Sequence, residues 1–289
     1  MNARINHAIR LGAGLLLATT ALTASAQALR TFTGSTANSF AANDDNVLSG
    51  LNIGFGINFF GNTFTQLNLS NNGNVQFNSS FGTFTPFNLT GPTGNPIIAP
   101  FFADVDTRAP GSLTTTYGTG TLGGFNAFAA NWEHVGVFPS QSIFNSFQLV
   151  LIDRSATGAG NFDFEFNYTL INWEAGTASS APPGGLGGVA ARAGFNSGTG
   201  TFLELAGSGV NGGFLDTNLV TGLIHNQLGT PFDGANLSGR YDFQVRNGTV
   251  TVEPPPTSAV PEPSTYGLIA SAVLVGMVVI RRRKQAAAR

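Results

Sequence analysis

The sequence contains no cysteine, only two methionines and few charged side chains. Charged residues make up 10% of the 289 residues, against about 25% in an average soluble domain. Without cysteine the chain has no disulfide scaffold, no thiolate zinc site and no cysteine nucleophile. These absences exclude disulfide-rich mini-domains, zinc fingers and cysteine hydrolases.

Positive charge is scarce through most of the chain. Residues 27–252 contain six Arg, no Lys and thirteen Asp or Glu, which is a net charge of −7. A protein that binds nucleic acid needs a basic face to neutralise phosphates. The sequence therefore predicts no nucleic-acid partner.

Apolar and aromatic residues are abundant by contrast. Hydrophobic residues make up 42% of the chain, and 25 residues are Phe. A disordered chain is polar, highly charged and poor in aromatics. We therefore expect a folded domain with a substantial core.

The first 26 residues follow the order of a secretory signal peptide. Arg4 and Arg10 precede an apolar run over residues 11–22, and Ala24-Ser25-Ala26 comes after it. A basic segment, an apolar segment and an A-x-A site are what signal peptidase recognises. We predict cleavage after Ala26, with Ala24 and Ala26 as the recognised residues. A short buried helix is the alternative interpretation.

The C-terminal region has the composition of a linker followed by a membrane anchor. Residues 253–265 are rich in proline, which favours extended structure. The uncharged run over residues 266–280 is about 22 Å long as a helix, and snorkelling side chains can extend it. The run ends at a stop-transfer cluster of Arg281, Arg282, Arg283 and Lys284. We predict a transmembrane helix at 266–280 and a basic cytoplasmic tail at 281–289.

A short motif precedes the apolar run. Pro261-Glu262-Pro263, the run and the basic cluster, in this order, resemble the PEP-CTERM sorting signal of Gram-negative bacteria. The resemblance covers about the last 30 residues. It implies that exosortase, a membrane transpeptidase, recognises Pro261, Glu262 and Pro263 and removes the hydrophobic tail. It also implies a location at the cell surface or in the extracellular matrix.

The central region alternates apolar and polar residues, as strands do. In residues 162–168 four aromatic side chains fall on one face, while Asp163, Glu165 and Asn167 fall on the other. This period of two is typical of a half-buried strand. Asn72-Gly73, between two alternating segments, is a strong hairpin signal.

Short strands separated by Gly, Asn, Ser and Thr predict an all-β fold. We expect an antiparallel β-sandwich or barrel-like single domain over residues 27–252. The other predicted strands are 53–60, 97–105, 127–138, 147–152 and 241–246. Residues 107–124 and 175–188 are predicted to be long loops.

Several segments follow one another in a characteristic order along the predicted strands. They are Phe59-Phe60-Gly61, Leu69-Ser70-Asn71-Asn72-Gly73-Asn74-Val75-Gln76-Phe77, Ile98-Ala99-Pro100-Phe101-Phe102-Ala103-Asp104-Val105-Asp106-Thr107-Arg108, Asn131-Trp132-Glu133-His134-Val135, Asn145-Ser146-Phe147-Gln148-Leu149-Val150-Leu151, Phe166-Asn167-Tyr168, Trp173 and Ala193-Gly194-Phe195. Together they resemble the nidogen-like (NIDO) domain from about residue 51 to residue 245. One departure is Phe102, where the family often carries Trp. The resemblance implies a binding or structural module of matrix and adhesion proteins, with no catalytic residues to transfer.

Asp104-Val105-Asp106 is a candidate metal site. In a continuous strand the two carboxylates share a face, where with loop carbonyls they would suit calcium. The alternative is a solvated strand end in which Arg108 pairs with one carboxylate. A second acidic segment, Asn43-Asp44-Asp45-Asn46, is predicted to be a polar turn.

The sequence offers only poorly matched candidates for a catalytic site. Glu133 and His134 are adjacent and therefore point to opposite faces of a strand, and His225 has no metal-ligand spacing. Asp163 and Glu165 share a face, which suits either a glycosidase pair or the polar side of a sheet.

Three function classes remain open. The leading hypothesis is a non-enzymatic exported protein of the cell surface or extracellular matrix, associated with adhesion or exopolysaccharide and processed by signal peptidase and exosortase. The alternative is a calcium-dependent lectin-like adhesin that uses Asp104 and Asp106, and the third is an envelope glycan hydrolase. Trp132 and Trp173 would stack on sugars if exposed. Before processing, the protein would be anchored in the inner membrane with its domain in the periplasm.

Overall fold

The computed structural model describes residues 28–252. Within this range fourteen strands form two antiparallel sheets. The strands are β1 (Asn38–Ser39), β2 (Val47–Phe59), β3 (Asn62–Ser70), β4 (Asn74–Gln76), β5 (Ile97–Phe102), β6 (Val105–Asp106), β7 (Thr116–Leu122), β8 (Phe125–Val137), β9 (Gln141–Asp153), β10 (Phe162–Ile171), β11 (Arg192–Asn196), β12 (Phe202–Glu204), β13 (Arg240–Arg246) and β14 (Thr249–Thr251).

The larger sheet has eight strands in the order β1-β7-β8-β9-β10-β13-β14, and β6 also pairs with β8. Its centre is the long β8–β9–β10 meander, in which Phe128 lies opposite Leu151 and Leu151 lies opposite Phe164. The smaller sheet has six strands in the order β12-β11-β5-β4-β3-β2. Because neighbours along the chain pair in both sheets, most of the β-structure comes from hairpins.

The two sheets pack face to face around one aromatic core. Phe59 of the smaller sheet meets Phe164 of the larger sheet edge-on at 6.5 Å between ring centroids. Phe164 also stacks on Phe243 at 4.6 Å, and Trp132 stacks on Phe147 at 5.1 Å. All five rings are fully buried, and stacked and edge-on aromatic pairs add to the stabilisation from burial. The predicted antiparallel β-sandwich is confirmed.

The turn between β3 and β4 brings two parts of the smaller sheet together. Gly73 lies in the left-handed region at φ +70°, as the Asn-Gly signal requires. Its carbonyl oxygen accepts a hydrogen bond from the Phe101 nitrogen at 3.1 Å. The predicted hairpin is present, and its turn packs directly against the end of β5.

Helical structure is minimal between residues 28 and 252. It comprises two 3₁₀ turns, at Ser155–Thr157 and Thr177–Ser179. Among residues 28–252, no helix is long and apolar enough to cross a membrane. The predicted signal peptide (1–26), proline-rich linker (253–265), transmembrane helix (266–280) and basic tail (281–289) lie outside the described residues and stay predictions.

Candidate functional site

An acidic cluster lies where three loops meet at one end of the sandwich. Asp44 and Asp45 come just before β2, and Asp104 lies in the bend between β5 and β6. The β3–β4 turn completes the cluster with Asn71 and Asn72. Backbone hydrogen bonds join these loops; for example, the Asn71 nitrogen donates to the Asn46 carbonyl oxygen at 3.0 Å.

The two asparagines of the turn orient the acidic loops. Asn71 Nδ2 donates to the carbonyl oxygens of Asp44 at 2.5 Å and Val105 at 2.7 Å. Asn72 Nδ2 donates to Asp45 Oδ1 at 2.9 Å, and its Oδ1 accepts from the Val105 nitrogen at 3.0 Å. Buried amide side chains therefore replace the strand pairing that these loops lack.

Three carboxylates converge in this cluster. Asp44, Asp45 and Asp104 each contribute an oxygen, and these oxygens lie within 4.8 Å of one another. Asp104 is 1% exposed. Burial, with the negative charges of Asp44, Asp45 and Asp106, raises the pKa of Asp104 to about 7. Burial and the charges of Asp45 and Asp106 raise the pKa of Asp44 to about 6, against the opposing effect of Arg108.

Asp106 is close in sequence but has different partners. Arg108 donates to Asp106 Oδ1 through Nε at 2.8 Å and to Oδ2 through an Nη at 2.9 Å. The Ser140 backbone nitrogen adds a hydrogen bond to Oδ2 at 2.9 Å. Against the cost of burial, these bonds hold the pKa of Asp106 below its ordinary value. The structure thus groups Asp104 with Asp44 and Asp45, and pairs Asp106 with Arg108.

Unsatisfied oxygens mark the same region. Of the buried side-chain atoms in residues 28–252 that have no hydrogen-bond partner, three oxygens lie here: Asp44 Oδ1, Asn71 Oδ1 and Asp104 Oδ2. Buried acceptors without partners are rare in folded proteins and call for an explanation. Sequence reasoning singled out Asp104 but treated residues 43–46 as a turn. The acidity of residues 43–46 was the one sequence signal that they belong to the cluster.

A second set of charges lies on the outward face of the larger sheet. Asp163 and Glu165 are buried. Arg30 of the N-terminal segment covers Glu165 and also contacts Asp233 of the loop after β12. Glu165 accepts two hydrogen bonds from Arg30, and Asp163 forms ion pairs with Arg154 and Arg246. These carboxylates are held by guanidinium groups beneath other residues, which is a structural arrangement rather than that of an exposed glycosidase pair.

Asp242 belongs to the same face and lies opposite Glu165 on the neighbouring strand. Burial, with the charges of Glu165 and Asp163, raises the pKa of Asp242 to about 9. The folded protein therefore keeps a proton on Asp242 at neutral pH, whereas the unfolded chain releases it near the ordinary value of 3.8. Since the folded state binds more protons across this range, its stability falls as the pH rises.

Raising the pH from 7 to 9 is expected to lower the free energy of unfolding by about 1–2 kcal/mol through Asp242. Denaturant titrations at pH 7, 8 and 9 measure this slope. Asp242→Asn should flatten it, because the amide does not ionise. Asp153→Asn, which changes a more accessible carboxylate of the same sheet, should keep the wild-type slope. An unchanged slope in Asp242→Asn would contradict the assignment.

The other candidate side chains have structural positions. Trp132 and Trp173 are fully buried, and their indole nitrogens donate to the carbonyl oxygens of Asn71 and Val135. They form part of the core and are not available for stacking on sugars. His134 stacks on the Phe144 ring, and His225 hydrogen-bonds to a backbone oxygen. Neither histidine lies in a metal-ligating group among the residues described.

The predicted processing residues lie outside the described residues. They are Ala24, Ala26, Pro261, Glu262, Pro263, Arg281, Arg282, Arg283 and Lys284. Their roles rest on sequence. A family model described as PEP-CTERM protein-sorting motif matches residues 259–284, and this range includes the tripeptide, the apolar run and the basic cluster.

Curated relatives are similar to part of the chain. Alpha-tectorin of Homo sapiens is 34% identical over 189 residues, and alpha-tectorin of Gallus gallus is 32% identical over 188 residues. These alignments cover 57% of this chain but only 8% and 9% of the relatives. The chain thus spans less than a tenth of the length of these relatives. No solved structure matches.

A second family model, described as NIDO related, matches residues 20–224. This range contains strands β2 to β5 of the smaller sheet, the β8–β10 meander and the acidic cluster. The earlier resemblance to the nidogen-like domain rested on the same segments, and the match confirms it. The chain belongs to the NIDO-related family and carries a PEP-CTERM protein-sorting motif.

Proposed function

We propose that this chain is a non-enzymatic module of the cell surface or extracellular matrix that contacts exopolysaccharide or neighbouring surface proteins after exosortase has removed its tail. The observation that carries the proposal is the presence of a NIDO-related domain and a PEP-CTERM motif in one chain. The motif indicates an exported protein. Before sorting, the predicted apolar segment would hold the domain on the periplasmic side of the inner membrane.

The arrangement of charge supports a non-enzymatic role. The glycosidase-like pair, Asp163 and Glu165, is buried in ion pairs with arginines. General acid–base catalysis needs a group that reaches the substrate. The cluster of Asp44, Asp45 and Asp104 contains no histidine.

A groove lined by polar and apolar residues supports contact with a polysaccharide. Two adjoining depressions of about 240 and 330 Å³ share Asn52 and Gly54, at the side where the edge strand β2 lies beside β7. Their lining also includes Asn38, Tyr117, Thr119, Thr65 and Gln66. Amides and hydroxyls hydrogen-bond to sugar hydroxyls, and the half-buried ring of Tyr117 leaves part of its surface for stacking. We propose this β2–β7 groove as the glycan-contacting surface.

Fractionation of producing cells into inner membrane, matrix and medium tests the proposal. Wild-type protein is expected in the matrix fraction, in a form that lacks the tail. Replacing Pro261, Glu262 and Pro263 with alanine should retain the tail-bearing form in the inner membrane. A variant with Asn52→Ala and Tyr117→Ala should be released but shift at least about tenfold from matrix to medium, which corresponds to about 1.4 kcal/mol of lost binding.

Asn62→Ala is the matched control, because Asn62 is an exposed Asn at the far end of the β2–β3 hairpin. It should distribute like the wild type. Normal release of the alanine-substituted sorting variant would contradict exosortase processing. Equal matrix retention of the groove variant and Asn62→Ala would contradict the groove as the contact surface. Wild-type protein found in the medium alone would contradict matrix attachment itself.

A further inference from the structure

The acidic cluster combines buried negative charge with unsatisfied oxygens. Asp44, Asp45 and Asp104 place oxygens within 4.8 Å of one another, and Asp104 is 1% exposed. Asp104 Oδ2 and Asp44 Oδ1 are buried and lack a hydrogen-bond partner within residues 28–252. Burying carboxylates together is costly unless a positive charge compensates for them.

Side chains of the protein compensate only part of this charge. Arg108 is the guanidinium at the cluster, and it divides its hydrogen bonds between Asp106 and Asp44 Oδ2. Asn72 donates one hydrogen bond to Asp45. Oδ2 of Asp104 is buried and receives no hydrogen bond from residues 28–252. The negative charge of Asp44, Asp45 and Asp104 is therefore only partly compensated, and a cation contacting one oxygen of each would complete the compensation.

The donor atoms define the kind of cation. All three are carboxylate oxygens, which are hard ligands, and the side-chain oxygen of Asn71 lies unpartnered on the adjoining turn. Calcium takes six to eight oxygens at about 2.3–2.6 Å, so one ion can contact oxygens that are up to about 5 Å apart. Magnesium requires near-ideal octahedral geometry, which ligands from separate loops satisfy less readily.

We propose that Asp44, Asp45 and Asp104 bind a calcium ion that links the loop before β2 to the bend after β5. Asp106 is not a ligand in this site, because Arg108 and Ser140 occupy its oxygens. Asp44 and Asp45 are partly accessible and provide the route of entry. The site rests on its own geometry and does not depend on the proposed glycan contact.

Thermal unfolding of the exported protein, purified from producing cells, tests the site. Relative to EDTA, calcium at about one hundred times its dissociation constant is expected to raise Tm by about 5–10 °C. Magnesium should give a smaller shift. Titration calorimetry with calcium chloride should give one site per chain. A magnesium shift as large as that of calcium would overturn the assignment to calcium.

Two variants separate cation binding from folding. Asp104→Asn and Asp45→Asn should each abolish the calcium shift, while their Tm in EDTA stays at or above that of the wild type because carboxylate repulsion is relieved. Asp153→Asn, which changes a carboxylate outside the cluster, should keep the full shift. A wild-type Tm indifferent to calcium, or a shift that persists in both cluster variants, would overturn the proposal.

Discussion

Replacing Arg30 with alanine is expected to lower the free energy of unfolding by about 3–5 kcal/mol, because it leaves a buried carboxylate without its partner. Arg30 donates to both oxygens of Glu165, at 2.8 Å through Nε and 2.7 Å through an Nη. Glu165 is fully buried, and Arg240 lies 3.9 Å from it. Asp233 also accepts from Arg30 but is one-third exposed, so water can replace that contact.

The backbone of Arg30 is anchored as well. Its nitrogen donates to Gln148 Oε1 at 2.9 Å, and its carbonyl oxygen accepts from Gln148 Nε2 at 2.8 Å. One glutamine side chain thus pairs with the N-terminal segment as a neighbouring strand would. The segment lies just after the predicted signal cleavage site, so the exported chain would begin almost directly with this contact.

Urea unfolding of Arg30→Ala and of the wild type measures the difference in their free energy of unfolding. The matched control is Arg192→Ala, which breaks the partly exposed pair with Glu204 and should cost only about 1 kcal/mol. Arg30→Met combined with Glu165→Met should recover part of the stability, because it removes both charges of this pair, although Arg240 then loses its contact with Glu165. A loss no larger than that of Arg192→Ala would contradict the role of the buried ion pair.

The strands could be predicted because alternation reports which residues share a face. Phe162, Phe164 and Phe166 face the core as expected. The same pattern placed Asp163 and Glu165 on a polar face, and it could not reveal that this face is covered. The covering contact joins Arg30 to Gln148, which is 118 residues away in the chain. Local periodicity contains no information about such a distant partner.

The strand β7 was missed for a related reason. β7 lies inside residues 107–124, which were predicted to be a loop, and it contains Gly118 and Gly120. A Cβ at Gly118 would lie 2.0 Å from the Gly34 carbonyl oxygen, and one at Gly120 would lie 2.0 Å from the Thr33 carbonyl oxygen. These glycines are there because the N-terminal segment passes directly over the strand. That prediction was wrong.

The acidic cluster could be predicted only in part. Alternation places Asp104 and Asp106 on one face only if the strand is continuous through both. The structure interrupts it between Phe102 and Val105, and Val105–Asp106 then pairs with β8 instead. Asp104 therefore turns toward Asp44 and Asp45, which lie 60 and 59 residues earlier in the sequence. Identifying this grouping requires knowledge of how three loops meet.

Gly73→Ala is expected to lower the free energy of unfolding by at least about 3 kcal/mol, through steric overlap combined with backbone strain. Gly73 has φ +70°, and a Cβ there would lie 1.8 Å from the Phe101 carbonyl oxygen. No side chain can move aside to relieve this overlap, because the obstacle is the backbone of a buried central strand. The β3–β4 turn or the end of β5 must therefore shift.

Gly61→Ala separates the two causes, since Gly61 has φ +84° in the β2–β3 hairpin but a Cβ there meets nothing within 4 Å. Gly61→Ala introduces only the backbone strain, without steric overlap, and should lower the free energy of unfolding by about 1–2 kcal/mol. The excess loss in Gly73→Ala then measures the close approach of turn and strand. Because this turn carries Asn71 and Asn72, which orient the loops of Asp44 and Asp45, Gly73→Ala should also remove the calcium-dependent rise in Tm, whereas Gly61→Ala should keep it. Equal losses of stability in the two variants would mean that the turn is not seated on β5 as described.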